Sequence, residues 1–155
     1  MSPLALRPNL ARHGATLLLG LLLLLIGVQP AAASLLHLEG PVPAELGVHA
    51  GSLAPCPGPA HCSRRDWPAA DPAAALEGLL PAVLNLEGIT VVETGGGYLH
   101  ATATSRLFGF VDDLELYADQ EHQTLQARSA SRLGDSDLGV NAGRLDSLQR
   151  ALQPA

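Results

Sequence analysis

The chain has 155 residues and a formal net charge of −6, from fifteen acids, nine arginines and no lysine. This length allows one domain, and the shortage of aromatic residues means that Leu, Val and Ala must build most of its core. An acidic chain without a basic cluster lacks the charge that nucleic acids and anionic membrane surfaces attract. We therefore expect no nucleic-acid partner.

The N-terminal segment, 1–33, has the pattern of a secretory signal peptide. A short lead with two arginines precedes an apolar run at 15–28, and Pro30 and three alanines follow. Fourteen apolar residues are fewer than the ~20 that a helix needs to span a bilayer. We expect export to the periplasm or an equivalent lumen, with cleavage near Ala33. The alternative is an uncleaved anchor at 15–28, and membrane contact is expected only through this segment.

Residues 34–55 are rich in Gly, Pro and Ala and show no sustained periodicity, which indicates an extended linker before a domain at 56–153. The only two cysteines, Cys56 and Cys62, open that domain. In an exported protein such a pair is by default a disulfide. The alternative is a metal or haem site built from Cys56, His61 and Cys62, but the spacing matches neither paired CxxC zinc motifs nor CxxCH haem attachment. We therefore expect a disulfide, no metal and no cofactor.

A first helix is predicted to begin at Asp71-Pro72, where Asp71 can cap the helix and proline suits the first helical position. Apolar residues at 76, 79, 80 and 83 then form one stripe along a helical face. Pro81 lies inside this pattern and is expected to kink or divide the helix.

Four strands are predicted next, at 89–94, 98–108, 110–118 and 124–132, each with β-branched or alternating residues. The alternation is expected to turn Leu107, among others, towards the core, and to place Phe110 on one face with Leu114, Leu116 and Asp112. A closing helix is expected to begin near Leu138 or Asn141. The predicted fold class is α+β: a four-stranded antiparallel meander with one helix before it and one helix after it, in a single small domain.

Two parts of the chain resemble the motifs of the DUF1499 family: PCPGPAHC, and YLHATATSRLFGFVDDLELY with ARSASRLGDSDLGVNAGR. The resemblance covers roughly residues 46–152. It implies an exported or membrane-anchored protein with bacterial and plastid relatives, and it implies no reaction, because the family is uncharacterised. The matching positions are Cys56, Pro57, Cys62, Tyr98, Ser105, Phe110, Asp112, Asp113, Glu115, Arg128, Ser129, Ser131, Arg132, Gly134, Ser136, Asp137, Gly139, Asn141 and Arg144.

Strand alternation also predicts a charged side of the sheet. It would carry Arg106, Asp113, Glu115, Arg128 and Arg132, provided that the strands pair in a suitable register. One interpretation is a solvated ladder of cross-strand ion pairs. The other is a small-anion site, in which the two β-strand arginines at 128 and 132 hold a carboxylate or phosphate and the two acids orient them.

A second group of candidates lies where a loop meets the closing helix. Ser136, Asp137 and Asn141 are expected to cap this helix, and exposed amides at the same place could meet an anion. The candidate ligand-binding residues are therefore Arg106, Asp113, Glu115, Arg128, Arg132, Ser136, Asp137 and Asn141.

No catalytic constellation is evident in the sequence. His100 and Ser105 have opposite parity on one predicted strand, so with Asp112 they make a poor triad, and no serine lies in a nucleophile elbow. We expect a non-catalytic binding or assembly module, whose partner is an unidentified protein or a small anionic ligand. The alternative is an enzyme, or a carrier of metal or small anions, that uses Arg128, Arg132 and Asp113 or the Cys56–His61–Cys62 loop.

Overall fold

A computed structural model of the protein describes residues 38–152. The predicted signal peptide and the first four residues of the predicted linker lie outside the described residues. Within residues 38–152 the fold class is α+β, as predicted, with one five-stranded antiparallel sheet, one two-stranded sheet and two helices.

The main sheet contains one strand more than predicted. Its strands are β3 (Cys62–Pro68), β4 (Ile89–Gly95), β5 (Tyr98–Thr104), β6 (Val111–Asp119) and β7 (Thr124–Ser131), in the spatial order β3-β7-β6-β5-β4. The four later strands form the predicted meander, and β3 pairs antiparallel with β7. The four-stranded prediction was wrong because the sequence CSRRDWP has no apolar alternation and ends in proline, which suits an edge strand.

Both helices lie on one face of this sheet. Helix α1 (Pro72–Leu84) is capped by Asp71, whose side chain accepts a hydrogen bond from the Ala74 amide, and it continues through Pro81 without dividing. Helix α2 (Val140–Leu152) follows β7. The core between sheet and helices is built from leucine, valine, alanine and Trp67, and each fully buried leucine contributes about 1.5–3 kcal/mol.

The connection between β5 and β6 is a turn rather than a continuation of the strand. The Ser105 amide bonds to the Phe110 carbonyl, and the Gly109 amide bonds to the Ser105 carbonyl, with Gly109 at positive φ. The strand therefore ends at Thr104, four residues before its predicted end. The expectation that Leu107 faces the core was wrong, because the turn leaves its side chain exposed. Phe110 is exposed as well, unlike Leu114 and Leu116, with which it was expected to share a face.

Residues 38–55 lie on the other face of the sheet. We call this segment the strap. It contains the two-residue strands β1 (Val48–His49) and β2 (Ser52–Leu53), which pair with each other, and it is otherwise irregular. These residues were predicted to form an extended linker, but they pack against the sheet. They therefore cover the charged side of the sheet.

Candidate functional site

The register of the sheet brings the predicted charged residues together on the face opposite the helices, which we call the polar face. On this face Glu115 is paired with His100 of β5 and with Arg128 of β7. Asp113, two residues before Glu115 on β6, has the same orientation. Four of the five residues predicted for this side, all but Arg106, lie close together.

Glu115 and Arg128 form a buried ion pair at the centre of the polar face. Arg128 NH1 donates to Glu115 Oε2 at 2.8 Å, and Arg128 and Glu115 are 1% and 0% exposed, respectively. The other oxygen of Glu115 accepts from the Tyr98 hydroxyl at 2.9 Å and from the Gly47 amide at 2.7 Å. Burial and the negative charge of Glu115 both raise the pKa of Tyr98, so its hydroxyl stays a donor. Both oxygens of Glu115 therefore have partners within the protein.

Asp113 is the centre of a second group. Arg132 grips it with two hydrogen bonds, from Nε at 2.9 Å and from NH2 at 2.8 Å, and the His100 ring nitrogen Nε2 lies 2.8 Å from Asp113 Oδ1. Asp113 is only 1% exposed. Planar two-point pairing of this kind is the strongest geometry that arginine offers to a carboxylate. Arg132 makes this pairing with an internal acid, Asp113.

The strap completes both groups from above. Glu45 contributes a carboxylate 3.3 Å from Arg128 NH2, and Glu39 contributes one 3.4 Å from Arg132 NH1. Further along, the Leu53 amide donates to the side chain of Gln126 at 2.9 Å, and Arg64 NH1 donates to the Leu53 carbonyl at 2.6 Å. The strap is thus bound to the sheet by both backbone and side-chain contacts.

These contacts correct the interpretation of the polar face as a solvated ladder. The ion pairs form as expected between strands, but they are buried beneath the strap instead of facing water. Arg106 does not join them, since it is exposed and lies 3.6 Å from the exposed Glu87. A small anion could reach Arg128 or Arg132 only by displacing acids that already bind them. The assignment of these residues to ligand binding remains a prediction.

Asp113 also gives the fold a defined acid sensitivity. Burial raises its pKa, but the hydrogen bonds from Arg132 and His100 outweigh burial and hold the pKa of Asp113 below its ordinary value. The unfolded chain therefore takes up this proton first as the pH falls. The stability that Asp113 contributes is present in full above its unfolded pKa of about 4 and is lost as the pH falls through the lower folded value.

We expect Asp113→Asn to lose less stability than the parent chain on acidification from about pH 7 to about pH 3, because the variant has no charge to lose at this position. Urea unfolding followed by circular dichroism at several pH values measures the difference. Asp66→Asn, at an exposed acid on β3, is the matched control and should keep the acid dependence of the parent. An equally steep acid loss in Asp113→Asn would contradict the assignment.

In the loop before α2, each residue predicted as a ligand-binding candidate makes hydrogen bonds within the protein. Asp137 accepts from the amides of Gly139 and Asn141, both at 2.9 Å, and Ser136 Oγ accepts from the Leu138 amide at 3.3 Å. Burial raises the pKa of Asp137, but these backbone bonds outweigh burial and lower it overall. The amides that could have met an anion are therefore occupied by side chains of the loop itself.

Asn141 lies deeper and connects three parts of the chain. Its Oδ1 accepts from Ser129 Oγ at 2.6 Å and from Arg144 NH1 at 2.7 Å, while its Nδ2 donates to the His61 carbonyl at 3.1 Å and to Ser131 Oγ at 3.0 Å. Arg144 in turn donates to Asp112 at 2.8 Å. Sequence patterns did not connect Ser129 with Arg144, because they are 15 residues apart and belong to a strand and a helix.

The two cysteines form the predicted disulfide, Cys56–Cys62. The ring that it closes is bound to the rest of the fold through its carbonyls: that of Ala60 accepts from the Asp137 amide, and that of His61 accepts from the Ser131 amide. A cleft of about 710 Å³ lies beside the ring, lined in part by Arg65 and Asp137. Because both sulfurs are in the disulfide, neither is a thiolate that could bind a metal.

Removal of the disulfide is expected to lower the free energy of unfolding by about 2.4 kcal/mol, the loop-closure value for a ring of about seven residues. The test compares urea unfolding of the parent chain with that of the double variant Cys56→Ser/Cys62→Ser. Reductant should reduce the stability of the parent to that of the variant and should leave the variant unchanged. A parent chain with the same stability in both redox states would contradict the expectation.

The residues considered for a hydrolase are not assembled into one. His100 is on the polar face with Asp113, Ser105 is in the β5–β6 turn, and Asp112 faces the helices and binds Arg144.

Among residues 38–152 there is no group of three His, Cys, Asp or Glu side chains placed to bind a metal ion. Neither α1 nor α2 is long and apolar enough to cross a membrane.

Comparison with known proteins finds one match. A family described as "Protein of unknown function (DUF1499)" matches residues 53–152, which include the whole main sheet, both helices and the disulfide. No curated protein and no solved structure matches the chain significantly.

Proposed function

Because the chain belongs to the DUF1499 family, whose function is unknown, we propose a function from its own geometry: it is an exported, non-catalytic binding or assembly module. The observation that carries the proposal is that the charged residues of the polar face are paired within the protein. The four central ionic groups of the polar face, Asp113, Glu115, Arg128 and Arg132, bind one another and the strap. They support a rigid scaffold that presents other surfaces to a partner.

Two features support export. The N-terminal segment, 1–33, has the order of a signal peptide, with a basic lead, an apolar run and small residues. The disulfide is typical of proteins in an oxidising compartment, because cytosolic thiols are kept reduced. The first segment is either removed or kept as an anchor, and in both cases the domain works outside the cytoplasm.

The alternative, an enzyme or a carrier of metal or small anions, has less support. For a ligand to bind on the polar face, the strap would have to move away, and the contacts of Glu45 with Arg128 and of Glu39 with Arg132 would have to break. At the Cys56–His61–Cys62 loop it would require thiolates that the disulfide consumes. Arg128 and Arg132 also bind Glu115 and Asp113 at 2.8 Å, so an incoming anion would have to share each arginine with an internal acid.

The proposal is tested by intact mass spectrometry of the protein that is expressed from the full-length gene and purified natively from its own compartment. We expect the bare polypeptide mass with a gain of two hydrogen atoms after reduction, and the same measurement tells whether the segment 1–33 is removed. A stoichiometric metal or small-molecule adduct that leaves on denaturation would contradict the proposal. Its identity would then name the ligand or the cofactor.

A further inference from the structure

One end of the sheet displays a group of large apolar side chains. They come from the β5–β6 turn, from the loop between β7 and α2, and from the first residue of α2, and all are exposed. The two loops meet in a groove of about 330 Å³, where the Phe108 and Phe110 rings lie 5.8 Å apart. Exposed apolar groups that are contiguous mark an interaction surface. We call this surface the apolar edge; its members are Phe108, Phe110, Leu133, Leu138 and Val140.

Leu138 shows that this exposure is built into the fold. It is 94% exposed and has a φ of 53°, in the left-handed region that a leucine rarely adopts. The loop holds it there, since Asp137 binds the Gly139 and Asn141 amides that follow it. A side chain this exposed gains almost no burial within residues 38–152 to offset the backbone cost. Unfavourable backbone conformations held by surrounding structure are characteristic of functional positions.

The described part of the chain begins close to the apolar edge. Glu39 lies beside Arg132, and a Cβ atom at Gly40 would lie 2.7 Å from the Leu133 side chain, so the chain arrives next to the apolar edge. The apolar run at 15–28 ends ten residues before Leu38. Ten extended residues span at most about 35 Å. A bilayer that holds the run therefore lies within reach of the same end of the sheet.

We propose that the apolar edge lies on the bilayer in which residues 15–28 are inserted, with Phe108 and Leu138 in contact with the acyl chains. This inference rests on the proposed function in the form in which the segment 1–33 is kept as an anchor. It names the partner, a lipid surface, and adds a second membrane contact to the one expected through that segment. Because the chain is acidic, with Asp135 and Asp137 beside the edge, the contact is apolar rather than ionic and favours zwitterionic over anionic lipid.

Tryptophan quenching in vesicles tests this placement in the full-length chain. The parent has one tryptophan, the buried Trp67, which supplies the baseline emission. Phe108→Trp introduces a probe in the apolar edge. Gln120→Trp introduces a matched probe at the exposed β6–β7 turn, which lies at the other end of β6, about 27 Å away at the usual rise per residue. Both variants are reconstituted into phosphatidylcholine vesicles whose acyl chains carry bromine.

The proposal predicts that the emission of the Phe108→Trp probe shifts to shorter wavelength and is largely lost to bromine, while that of the Gln120→Trp probe is unchanged. Quenching of neither probe, in a chain that floats with the vesicles, would overturn it, and so would equal quenching of both. A wavelength shift that depends on protein concentration and not on bromine would overturn it in favour of a second copy of this chain. A soluble exported chain that lacks the segment 1–33 would also overturn it, while leaving the proposed function intact.

Discussion

Replacing Arg128 with methionine is expected to lower the free energy of unfolding by about 3–5 kcal/mol, the cost of leaving a buried charge without its partner. The substitution removes the guanidinium that binds Glu115 Oε2 at 2.8 Å. Because Glu115 is fully buried, bulk water cannot take the place of the guanidinium. It also frees Glu45 of the strap, which contacts the same guanidinium. Urea unfolding monitored by circular dichroism measures the loss.

Two further variants make this result specific. Arg106→Met removes an exposed arginine whose neighbour Glu87 is also exposed, and its effect should stay within about 0.5 kcal/mol. In the double variant Arg128→Met/Glu115→Gln, the amide oxygen still accepts from Tyr98 and Gly47, and no buried charge is left unpaired, because Glu45 is half exposed. The double variant should therefore be more stable than Arg128→Met alone. Equal, small effects of Arg128→Met and Arg106→Met would show that the face is not a buried network.

Asn141→Ala is expected to cost about 3 kcal/mol, because buried groups that lose a partner cost about 1–3 kcal/mol each. The side chain is wholly buried and forms four hydrogen bonds, two as acceptor and two as donor. Its loss would remove the hydrogen bond between α2 and the disulfide ring, in which Asn141 Nδ2 donates to the His61 carbonyl. The shift of the thermal or urea unfolding midpoint measures the effect.

The control for Asn141 is Ser136→Ala, in the same loop. Ser136 is exposed and its hydroxyl accepts one long bond, so the change should stay within about 0.5 kcal/mol. A stable Asn141→Ala variant would contradict the structural assignment. It would return Asn141 to the set of ligand-binding candidates.

The sequence predicts the pieces of this fold that depend on local patterns. The cap at Asp71, the four strands of the meander and the disulfide between the two cysteines each have a signal within a few residues. The side of the sheet on which Asp113, Glu115, Arg128 and Arg132 lie could also be predicted, because alternation along a strand determines it.

Burial of the polar face could not be predicted in the same way. The strap contacts side chains that lie far along the chain, as in the bonds from Leu53 to Gln126 and from Arg132 to Glu39, whose partners are 73 and 93 positions apart. A Gly- and Pro-rich segment without periodicity carries no local sign of such packing. The exposure of Leu107 and Phe110 was missed for a related reason: a turn closed by Ser105 and Gly109 interrupts an alternation that looks continuous in the sequence.

Amide hydrogen exchange at Gly47 and Leu53 tests whether the strap closes the polar face and makes its charges an internal framework. In the structure these amides donate to Glu115 and to Gln126. We predict that both exchange slowly, with protection similar to that of Ala101 and Leu114 in the sheet. Exchange at the rate of an unprotected peptide at Gly47 and Leu53, with the sheet still protected, would contradict the account and would leave the polar face open to a ligand.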